Sequence, residues 1–340
     1  MAVTPSDIEF MNAALSLAAR NLGDTWPNPS VGCVIVKDGV VVGRGWTGSG
    51  GRPHGETEAL ARAGANAKGA TAYVSLEPCS HHGKTPPCAE ALIASGIARV
   101  VSATTDPDPR VSGGGHAKLR SAGIAVDEGV QKPQADWLNA GFFLKVRAKR
   151  PLFCLKTATT LDGRIALGNG KSQWITGESA RRAAHALRAR YDAILIGSGT
   201  ALADDPMLTC RLGGYTGRAK VRVVLDRRER LPKTSKLLTT ADQIPTWIMT
   251  SADVAAVATE LAERGVTRVL IEGGGSVAAA FLKARLIDEV AWFRSGSIIG
   301  NDGKGAIAAL GLADMTALPG FVRQQTLVFG GDTLDILRKV

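Results

Sequence analysis

The sequence predicts a two-domain α/β protein, and three observations support this fold class. The chain has 340 residues, which is enough for two hydrophobic cores of ordinary size. Short β-rich runs alternate with helix-periodic segments, and hydrophobic residues make up 45% of the chain, as is usual for α/β proteins. Clustered charges at 145–151 end in Pro151 and indicate a linker between domains at 1–147 and 151–340. The alternative for this segment is a basic helix end inside one larger domain.

The first domain is expected to form a layered α/β structure. Its first helix carries the apolar residues Ile8, Met11, Leu15 and Ala18 at helical spacing. An Asp-Gly pair at 38–39 joins β-rich runs at 31–36 and 40–45, which predicts a hairpin. Further strands are predicted at 73–76, 99–103 and 124–126, and further helices begin at His54 and Cys88. Strands that alternate with helices in this way favour a sheet between helical layers.

The second domain shows the same alternation. Strands are predicted at 152–159, 193–196, 221–225, 247–250 and 268–271, with helices between them. The last of these strands runs through Glu272 into a glycine-rich turn at 273–275, and an apolar helix follows at 277–282. The strand pattern therefore predicts a second α/β core.

A histidine and two cysteines in the first domain form a zinc-site motif. His54-Gly55-Glu56 is followed by Glu77-Pro78-Cys79 and then by Cys88. Three protein ligands leave the fourth tetrahedral position of zinc to a water, which the metal acidifies. Glu56, two residues from His54, can reach that water and carry its protons. This is the general signature of zinc-dependent base deaminases, with His54, Cys79 and Cys88 as ligands and Glu56 as the catalytic residue.

The alternative interpretation of the motif is that these residues are unrelated, because free cysteine often packs as a small apolar side chain. The order, the spacing and the prolines favour the zinc site. The polar segment at 80–87, which a minimal metal site does not need, is expected to touch substrate. His81 and His82 within it are either solvated loop residues or competing metal ligands.

The glycine-rich turn after strand 268–271 is a candidate phosphate site, because glycines let backbone N–H groups approach a phosphate at a helix N-terminus. A second turn, Gly197-Ser198-Gly199, follows strand 193–196. Neither is the complete dinucleotide fingerprint, and each alone is as readily a structural turn. Two such turns, with many arginines nearby, favour a phosphorylated nucleotide ligand.

The composition of the chain narrows the functional classes to which the protein can belong. The net charge of +10 suits nucleic acid, but it equally suits phosphorylated substrates and a phosphorylated cofactor. Aromatic residues are only 5% of the chain, which argues against a base-stacking surface, so no nucleic-acid partner is expected. An odd number of cysteines, five, argues against a disulfide framework. No stretch approaches about 18 apolar residues, so no membrane contact and a cytoplasmic location are expected.

Several motifs resemble the RibD family, the bifunctional pyrimidine deaminase/reductases of riboflavin biosynthesis. The resemblance covers essentially the whole chain. The motifs that carry it lie at 27–32 (PNPSVG), 77–88 (EPCSHHGKTPPC), 161–164 (LDGR), 172–176 (SQWIT), 204–209 (DDPMLT) and 272–274 (EGG).

This resemblance implies a cytidine-deaminase-like first domain with three layers and a second domain similar to dihydrofolate reductase. The implied cofactors are zinc and NADPH. The first implied reaction removes ammonia hydrolytically from 2,5-diamino-6-ribosylamino-4(3H)-pyrimidinone 5′-phosphate. The second reduces the ribosyl group to ribityl with hydride from NADPH. The expected protein is thus a small-molecule enzyme and a homo-oligomer.

The resemblance also assigns residues. In the deaminase, Asn28 would hold the pyrimidine, while His81 and Lys84 would contact substrate, with Lys84 as a phosphate partner. In the reductase, the cofactor-binding positions are Ala158, Trp174, Thr200, Asp204, Arg227, Gly274, Gly275, Ser276, Val277, Ala278, Ala279 and Ala280. The substrate-binding positions are Ser172, Arg188, Leu208, Arg211 and Glu272, and Lys156 would be a polar contact to the sugar.

Some of these assignments have structural alternatives. Arg188 and Arg211 suit phosphate because a guanidinium presents a planar fork of donors, but a solvated helix face and a surface loop are the alternatives. Trp174 could instead be a core residue.

The chain also departs from the family pattern. Gly55 replaces the usual alanine, which should cost on the order of 1 kcal/mol in a helix. Arg227-Arg228 replaces an Asp-Ser pattern and could pair with the NADPH 2′-phosphate, and Arg294-Ser295-Gly296-Ser297 lacks the usual Ala-Pro-Lys.

Two other functions compete with this one. A deaminase acting on nucleic acid would explain the charge, and salt-sensitive RNA binding would support it. A zinc-stabilised binding module would have no need of Glu56.

Overall fold

The computed structural model describes residues 3–81 and 86–340. The chain divides into two compact units, Met1–Ala148 and Lys149–Val340. The charged segment at 145–151 is mostly not a linker, because helix α6, Ala140–Ala148, runs through its first four residues. The basic helix end named above as the alternative for this segment is therefore present, yet the chain still forms two units.

In the described part of the first unit there is one sheet, with helices that cover it. Its helices are α1 (Pro5–Ala18), α2 (Gly55–Ala63), α3 (Cys88–Ala94), α4 (Gly114–Ser121), α5 (Lys132–Leu138) and α6. Its strands are β1 (Gly32–Lys37), β2 (Val40–Trp46), β3 (Thr71–Val74), β4 (Arg99–Ser102) and β5 (Ala125–Glu128). Among the described residues the sheet order is β2-β1-β3-β4-β5, and β3, β4 and β5 are parallel. The predicted hairpin is β1 with β2.

Strand β1 shows why the unit has three layers. Cys33 and Ile35 point into one buried cluster with helix α2, while Val34 and Val36 point into another with helix α1. Alternate residues of a strand face opposite sides of the sheet, so both faces of β1 are covered. The predicted first helix is present, although Ile8 is exposed and not part of the core.

The second unit is built on a larger sheet. Its helices are α7 (Glu178–Ala189), α8 (Ser198–Asp204), α9 (Lys236–Thr239), α10 (Val254–Glu263) and α11 (Gly275–Lys283). Its strands are β6 (Leu152–Thr159), β7 (Arg164–Ala166), β8 (Ala193–Gly197), β9 (Val221–Leu225), β10 (Thr246–Met249), β11 (Arg268–Ile271), β12 (Ile287–Arg294), β13 (Lys304–Gly305), β14 (Phe321–Phe329) and β15 (Asp332–Lys339).

The strand order in the large sheet, for the part of the chain that the structure describes, is β10-β9-β8-β11-β6-β12-β15-β14. The strands from β10 to β12 are parallel, and β15 and β14 add an antiparallel edge. All five strands predicted for this domain are present, while β7, β12, β13, β14 and β15 were not predicted. Among the described residues no helix is long and apolar enough to cross a membrane.

Candidate active sites

His54, Cys79 and Cys88 come together at one end of the first sheet. His54 is the residue before helix α2, Cys79 follows strand β3, and Cys88 is the first residue of helix α3. The Nδ1 atom of His54 lies 3.2 Å from Cys88 Sγ and 3.7 Å from Cys79 Sγ. All three ligand atoms lie within 4.8 Å of one another. The structure therefore brings the predicted ligands into one cluster.

These distances fit a tetrahedral zinc ion. With Zn–S of about 2.3 Å and Zn–N of about 2.05 Å, tetrahedral geometry places nitrogen about 3.6 Å from sulfur. The two observed N···S distances lie on either side of that value. The backbone N–H of Cys88 also donates to Cys79 Sγ at 3.2 Å. Hydrogen bonds from the Cys88 thiol and backbone and from His54 lower the pKa of Cys79 to about 4, against the effect of burial. A thiolate is the form that zinc binds.

Glu56 lies beside this cluster and is 3% exposed. It occupies the first turn of helix α2, two residues after His54. Burial raises the pKa of Glu56, so its carboxyl group can hold a proton that an exposed carboxylate would lose. A buried carboxyl group beside a three-ligand metal cluster is suited to moving protons.

Glu77 supports the cluster in a way that the sequence interpretation missed. Its carboxylate accepts hydrogen bonds from the backbone N–H groups of Asp106, Gly113, Gly115 and His116. Glu77 is two residues before Cys79 and is itself buried. These bonds fix the loop at 106–113 and the start of helix α4 to the segment that follows strand β3. The available signal in the sequence was a carboxylate inside the Glu-Pro-Cys motif that the metal does not need as a ligand.

The predicted pyrimidine contact, Asn28, lies against the loop that leads into His54. Its side-chain amide donates to the carbonyl of Gly50 at 3.4 Å, and a Cβ atom at Gly51 would lie 2.0 Å from Asn28 Nδ2. His81 is half-buried, and among the described residues its Nδ1 atom has no hydrogen-bond partner. Lys84 and His82 lie outside the described residues.

In the second unit, three predicted substrate residues contact one another. Arg188 makes a two-point ion pair with Glu272, at 2.6 Å from Nε to Oε1 and 3.0 Å from Nη2 to Oε2. Lys156 Nζ lies 3.9 Å from the same carboxylate. Burial alone would raise the pKa of Glu272, but the charges of Arg188 and Lys156 outweigh it and lower that pKa to about 2. Arg188 is therefore not on a solvated helix face, the alternative considered above.

The other substrate candidates lie on loops. Arg211 is exposed, and Leu208 is 5% exposed with a left-handed φ of 49°. Ser172 is half-buried in the loop before helix α7. Trp174, which was predicted as a cofactor contact, also lies in this loop; it is 67% exposed and 4.6 Å from the guanidinium of Arg181, so it is not a core residue. The structure thus leaves the Trp174 ring available to a ligand.

His185 is a second residue that the sequence interpretation missed. It lies on helix α7, one turn before Arg188, and its Nδ1 atom accepts the backbone N–H of Arg211 at 3.1 Å. The spacing was the available signal, because residues three apart share a helix face.

Apart from Trp174, the predicted cofactor residues lie at or after the carboxyl ends of adjacent parallel strands. Ala158 lies near the end of β6, Thr200 and Asp204 follow β8, Arg227 follows β9, and the turn and helix at 274–280 follow β11. The carboxyl ends of parallel strands meet at one edge of a sheet, which is where α/β proteins bind ligands. Arg227 is exposed there. Ala278 and Ala279 are buried in the core, so any cofactor contact in their segment is made by the backbone nearer Gly274.

The glycine turn has the properties of a phosphate cradle. Gly274 precedes helix α11, and the nearest atom to a Cβ built on it is Thr200 Oγ1, at 3.7 Å. A Cβ at Gly273 would lie 2.8 Å from Val277 Cβ, and one at Gly197 would lie 2.7 Å from Val277 Cγ2. These glycines let the start of helix α11 approach the sheet, and its first N–H groups favour an anion. The residues present therefore fit a phosphorylated dinucleotide.

Models of known protein families match both halves of the chain. The model of the cytidine and deoxycytidylate deaminase zinc-binding region matches residues 4–104, and the model of the RibD C-terminal domain matches residues 151–325. The chain is 40% identical to the riboflavin biosynthesis protein RibD of Escherichia coli K12, over 96% of this chain and 97% of that protein.

Solved structures also match this chain over nearly its whole length. RibD of Acinetobacter baumannii aligns with a TM-score of 0.90 and 37% identity, covering 98% of this chain and 99% of that one. A diaminohydroxyphosphoribosylaminopyrimidine deaminase/5-amino-6-(5-phosphoribosylamino)uracil reductase from Thermotoga maritima aligns with the same TM-score and coverage at 38% identity. The predicted α/β fold, with a deaminase region followed by a reductase domain, is confirmed. The chain therefore belongs to the RibD family of bifunctional riboflavin-biosynthesis enzymes, in which a zinc-dependent deaminase domain is joined to an NADPH-dependent reductase domain.

Proposed function

We propose that the two domains act in sequence on one phosphorylated pyrimidine. The first would deaminate the diaminohydroxyphosphoribosylaminopyrimidine, and the second would reduce 5-amino-6-(5-phosphoribosylamino)uracil, the substrates in the name of the Thermotoga maritima relative. The observation that carries this proposal is the His54, Cys79 and Cys88 cluster beside buried Glu56. A purely structural zinc site needs no such carboxyl group.

In the deaminase site, His54, Cys79 and Cys88 hold the metal. Bound zinc supplies a Lewis acid that lowers the pKa of a water. Glu56 accepts a proton from that water and delivers one to the departing ammonia, which its burial and position allow. Asn28 and His81 orient the ring, and Lys84 contacts the phosphate.

In the reductase site, NADPH supplies the hydride, so the chain has to bind, orient and exclude water. The turn and helix at 274–280, with Thr200 and Asp204, hold the cofactor along the sheet edge, and Ala158, Trp174 and Arg227 contact it. Glu272 and Lys156 lie close enough together to bracket one sugar hydroxyl. Ser172, Arg188, Leu208 and Arg211 complete the substrate site.

Mass spectrometry of the reaction tests this function. The purified protein is given the diaminopyrimidine phosphate with and without NADPH. We expect loss of ammonia in both reactions, followed by a gain of two hydrogens only with NADPH. Ammonia loss without any reduction would contradict the reductase half, and an unchanged substrate in both reactions would contradict the whole proposal.

We also propose that the enzyme is a homo-oligomer that assembles through strand β14. This strand forms the edge of the large sheet, and Val322 and Val328 on it are 53% and 71% exposed. A long exposed edge pairs readily with the same edge of a second copy. Val328→Lys should shift the mass measured by light scattering toward the monomer. An unchanged mass would locate the interface elsewhere, and a monomeric parent protein would contradict the oligomer itself.

The cysteines favour a cytoplasmic location for this enzyme. All five are free thiols, and zinc binding needs Cys79 and Cys88 reduced. A reducing compartment keeps thiols out of disulfides.

A further inference from the structure

Helix α7 holds the loop that carries Arg211 through three contacts. Arg188 Nη1 donates to the carbonyl of Thr209 at 2.8 Å, and Cys210 Sγ lies 3.3 Å from the carbonyl of His185. The third contact is the bond from the Arg211 backbone N–H to His185 Nδ1. His185 is therefore the side chain that fixes the backbone of Arg211.

This third contact defines the state of His185. A nitrogen that accepts a hydrogen bond carries no proton, so the imidazole is neutral and its proton lies on Nε2. Burial lowers the pKa of His185, and the charges of Arg188, Arg211 and Lys156 lower it further, while Glu272 opposes them. A protonated imidazole would lose the bond to Arg211 and would add a cation to this cluster.

The hydrogen bond between His185 and Arg211 matters because the two arginines differ in how many of their side-chain N–H donors already have partners. Arg188 already donates from Nε and Nη2 to Glu272 and from Nη1 to Thr209. Arg211, by contrast, has an exposed side chain. Of these two predicted phosphate ligands, Arg211 is therefore the more exposed one. A dianionic phosphate is bound best by a guanidinium whose backbone is fixed in advance.

We propose that His185 is a positioning residue of the reductase site, which holds Arg211 so that its guanidinium binds the phosphate of the substrate. This inference rests on the proposed reduction and adds a residue to it. It places the phosphate at Arg211 and leaves Arg188 to orient Glu272.

The test compares the phosphorylated reductase substrate with the same compound lacking its phosphate. The measured quantity is the ratio of the two kcat/KM values. We expect His185→Ala to lower this ratio about tenfold, mainly through KM of the phosphorylated substrate, as for loss of one charge-assisted contact. Arg211→Ala should lower it at least as much. Lys233→Ala removes an exposed cation of the same domain and should leave the ratio unchanged.

Two conservative variants separate positioning from a general structural role. Asparagine can present its side-chain oxygen near the position of Nδ1, so His185→Asn should keep most of the ratio. Glutamine cannot place its oxygen there, so His185→Gln should behave like alanine. Equal losses for both substrates, or equal behaviour of the asparagine and glutamine variants, would overturn the proposal. Circular dichroism identifies any variant that fails to fold.

The pH dependence provides a second readout. Acid protonates Nδ1, so the wild-type ratio should fall relative to that of His185→Asn as the pH drops. The comparison cancels titration of the phosphate itself, and Lys156, Arg188, Arg211 and Glu272 are common to both proteins. A quotient that stays constant down to the pH at which His185 is protonated would contradict the role of the bond at Nδ1. If the wild type oxidises no NADPH, the proposed function fails; if it does and the ratio is unmoved, only the role of His185 fails.

Discussion

Arg188 and Glu272 form a two-point ion pair, with Nε–Oε1 at 2.6 Å and Nη2–Oε2 at 3.0 Å, and the Glu272 side chain is only 10% exposed. The pair joins helix α7 to the end of strand β11. Because the carboxylate is buried against two cations, its charge contributes to the stability of the reductase unit as well as to its site.

The first prediction concerns the pH dependence of that stability. The pKa of Glu272 is lowered from 4.5 to about 2, so its contribution is present above pH 4.5 and is lost as the pH falls toward about 2. The shift corresponds to about 3 kcal/mol at neutral pH. The stability difference between wild type and Glu272→Gln, measured by urea unfolding, should therefore shrink steadily on acidification. Glu263→Gln, at an exposed position, is the control, and a pH-independent difference for Glu272 would contradict the prediction.

Replacing Glu56 with glutamine should separate chemistry from metal binding. The amide is nearly isosteric but cannot accept and return a proton, so deamination should fall by about 10³-fold or more. Zinc content, measured by atomic absorption, should stay near one per chain because the ligands remain. Reduction of separately supplied deaminated substrate is the internal control. Deamination within a few-fold of wild type would rule out Glu56 as the proton carrier.

Cys88→Ser gives the complementary result. Loss of a thiolate ligand should weaken zinc binding by at least about 100-fold, judging from the effect of losing even outer-shell partners. Deamination should disappear, and the same loss should follow chelation of wild-type enzyme, with recovery on adding zinc. NADPH oxidation with the deaminated substrate should persist. If the serine variant keeps full zinc and activity, Cys88 is not a ligand.

Replacing Gly55 with alanine should destabilise the protein, although alanine is the better helix former by about 1 kcal/mol. A Cβ at this position would lie 2.8 Å from the carbonyl oxygen of Val31 and 3.2 Å from Trp46 Cα. Both are backbone atoms, so relieving the contact moves helix α2 or the strands beneath it. We expect Gly55→Ala to lower the free energy of unfolding by about 1 kcal/mol and to weaken zinc binding, because His54 moves with the helix.

The matched control for that variant is Thr57→Ala, an exposed position in the same turn of helix α2. Its only expected effect is a gain of a few tenths of a kcal/mol from helix propensity. Thermal denaturation followed by circular dichroism measures both variants. A Gly55→Ala protein more stable than wild type would show that the departure from alanine has no steric cause.

The zinc cluster could be predicted from the sequence because its three ligands lie at the ends of short, regular elements. His54 immediately precedes a helix, Cys88 begins one and Cys79 follows a strand, and their order and spacing match a zinc-site motif, so their proximity could be predicted without the strand order. The pairing of Lys156 with Glu272 depends instead on β6 and β11 being neighbours in the sheet, which periodicity does not reveal. The hydrogen bond between His185 and Arg211 is still harder to predict from the sequence, because it depends on the conformation of an irregular loop.

The failure to predict strand β14 also has a physical explanation. Strand β14 lies at the sheet edge and is exposed along nearly its whole length, so it has no alternation of buried and exposed residues. The boundary between the two units lies inside the predicted linker, but the first four residues of that segment belong to helix α6. Lys145 and Arg147 lie in the last turn of helix α6. Charge alone does not distinguish the end of a helix from a linker between domains.

Gly273 provides the last prediction, which concerns the cofactor. A Cβ at Gly273 would lie 2.8 Å from Val277 Cβ, inside the turn that sets the start of helix α11. Gly273→Ala should therefore push the helix N-terminus from the position where its N–H groups can meet a phosphate, and we expect NADPH affinity to fall about tenfold or more. Quenching of tryptophan fluorescence on titration with NADPH measures this without turnover. Gly331→Ala is the control, because nothing lies within 4 Å of a Cβ there. Equal affinities of the two variants for NADPH would mean that the turn at 273–275 does not hold the cofactor.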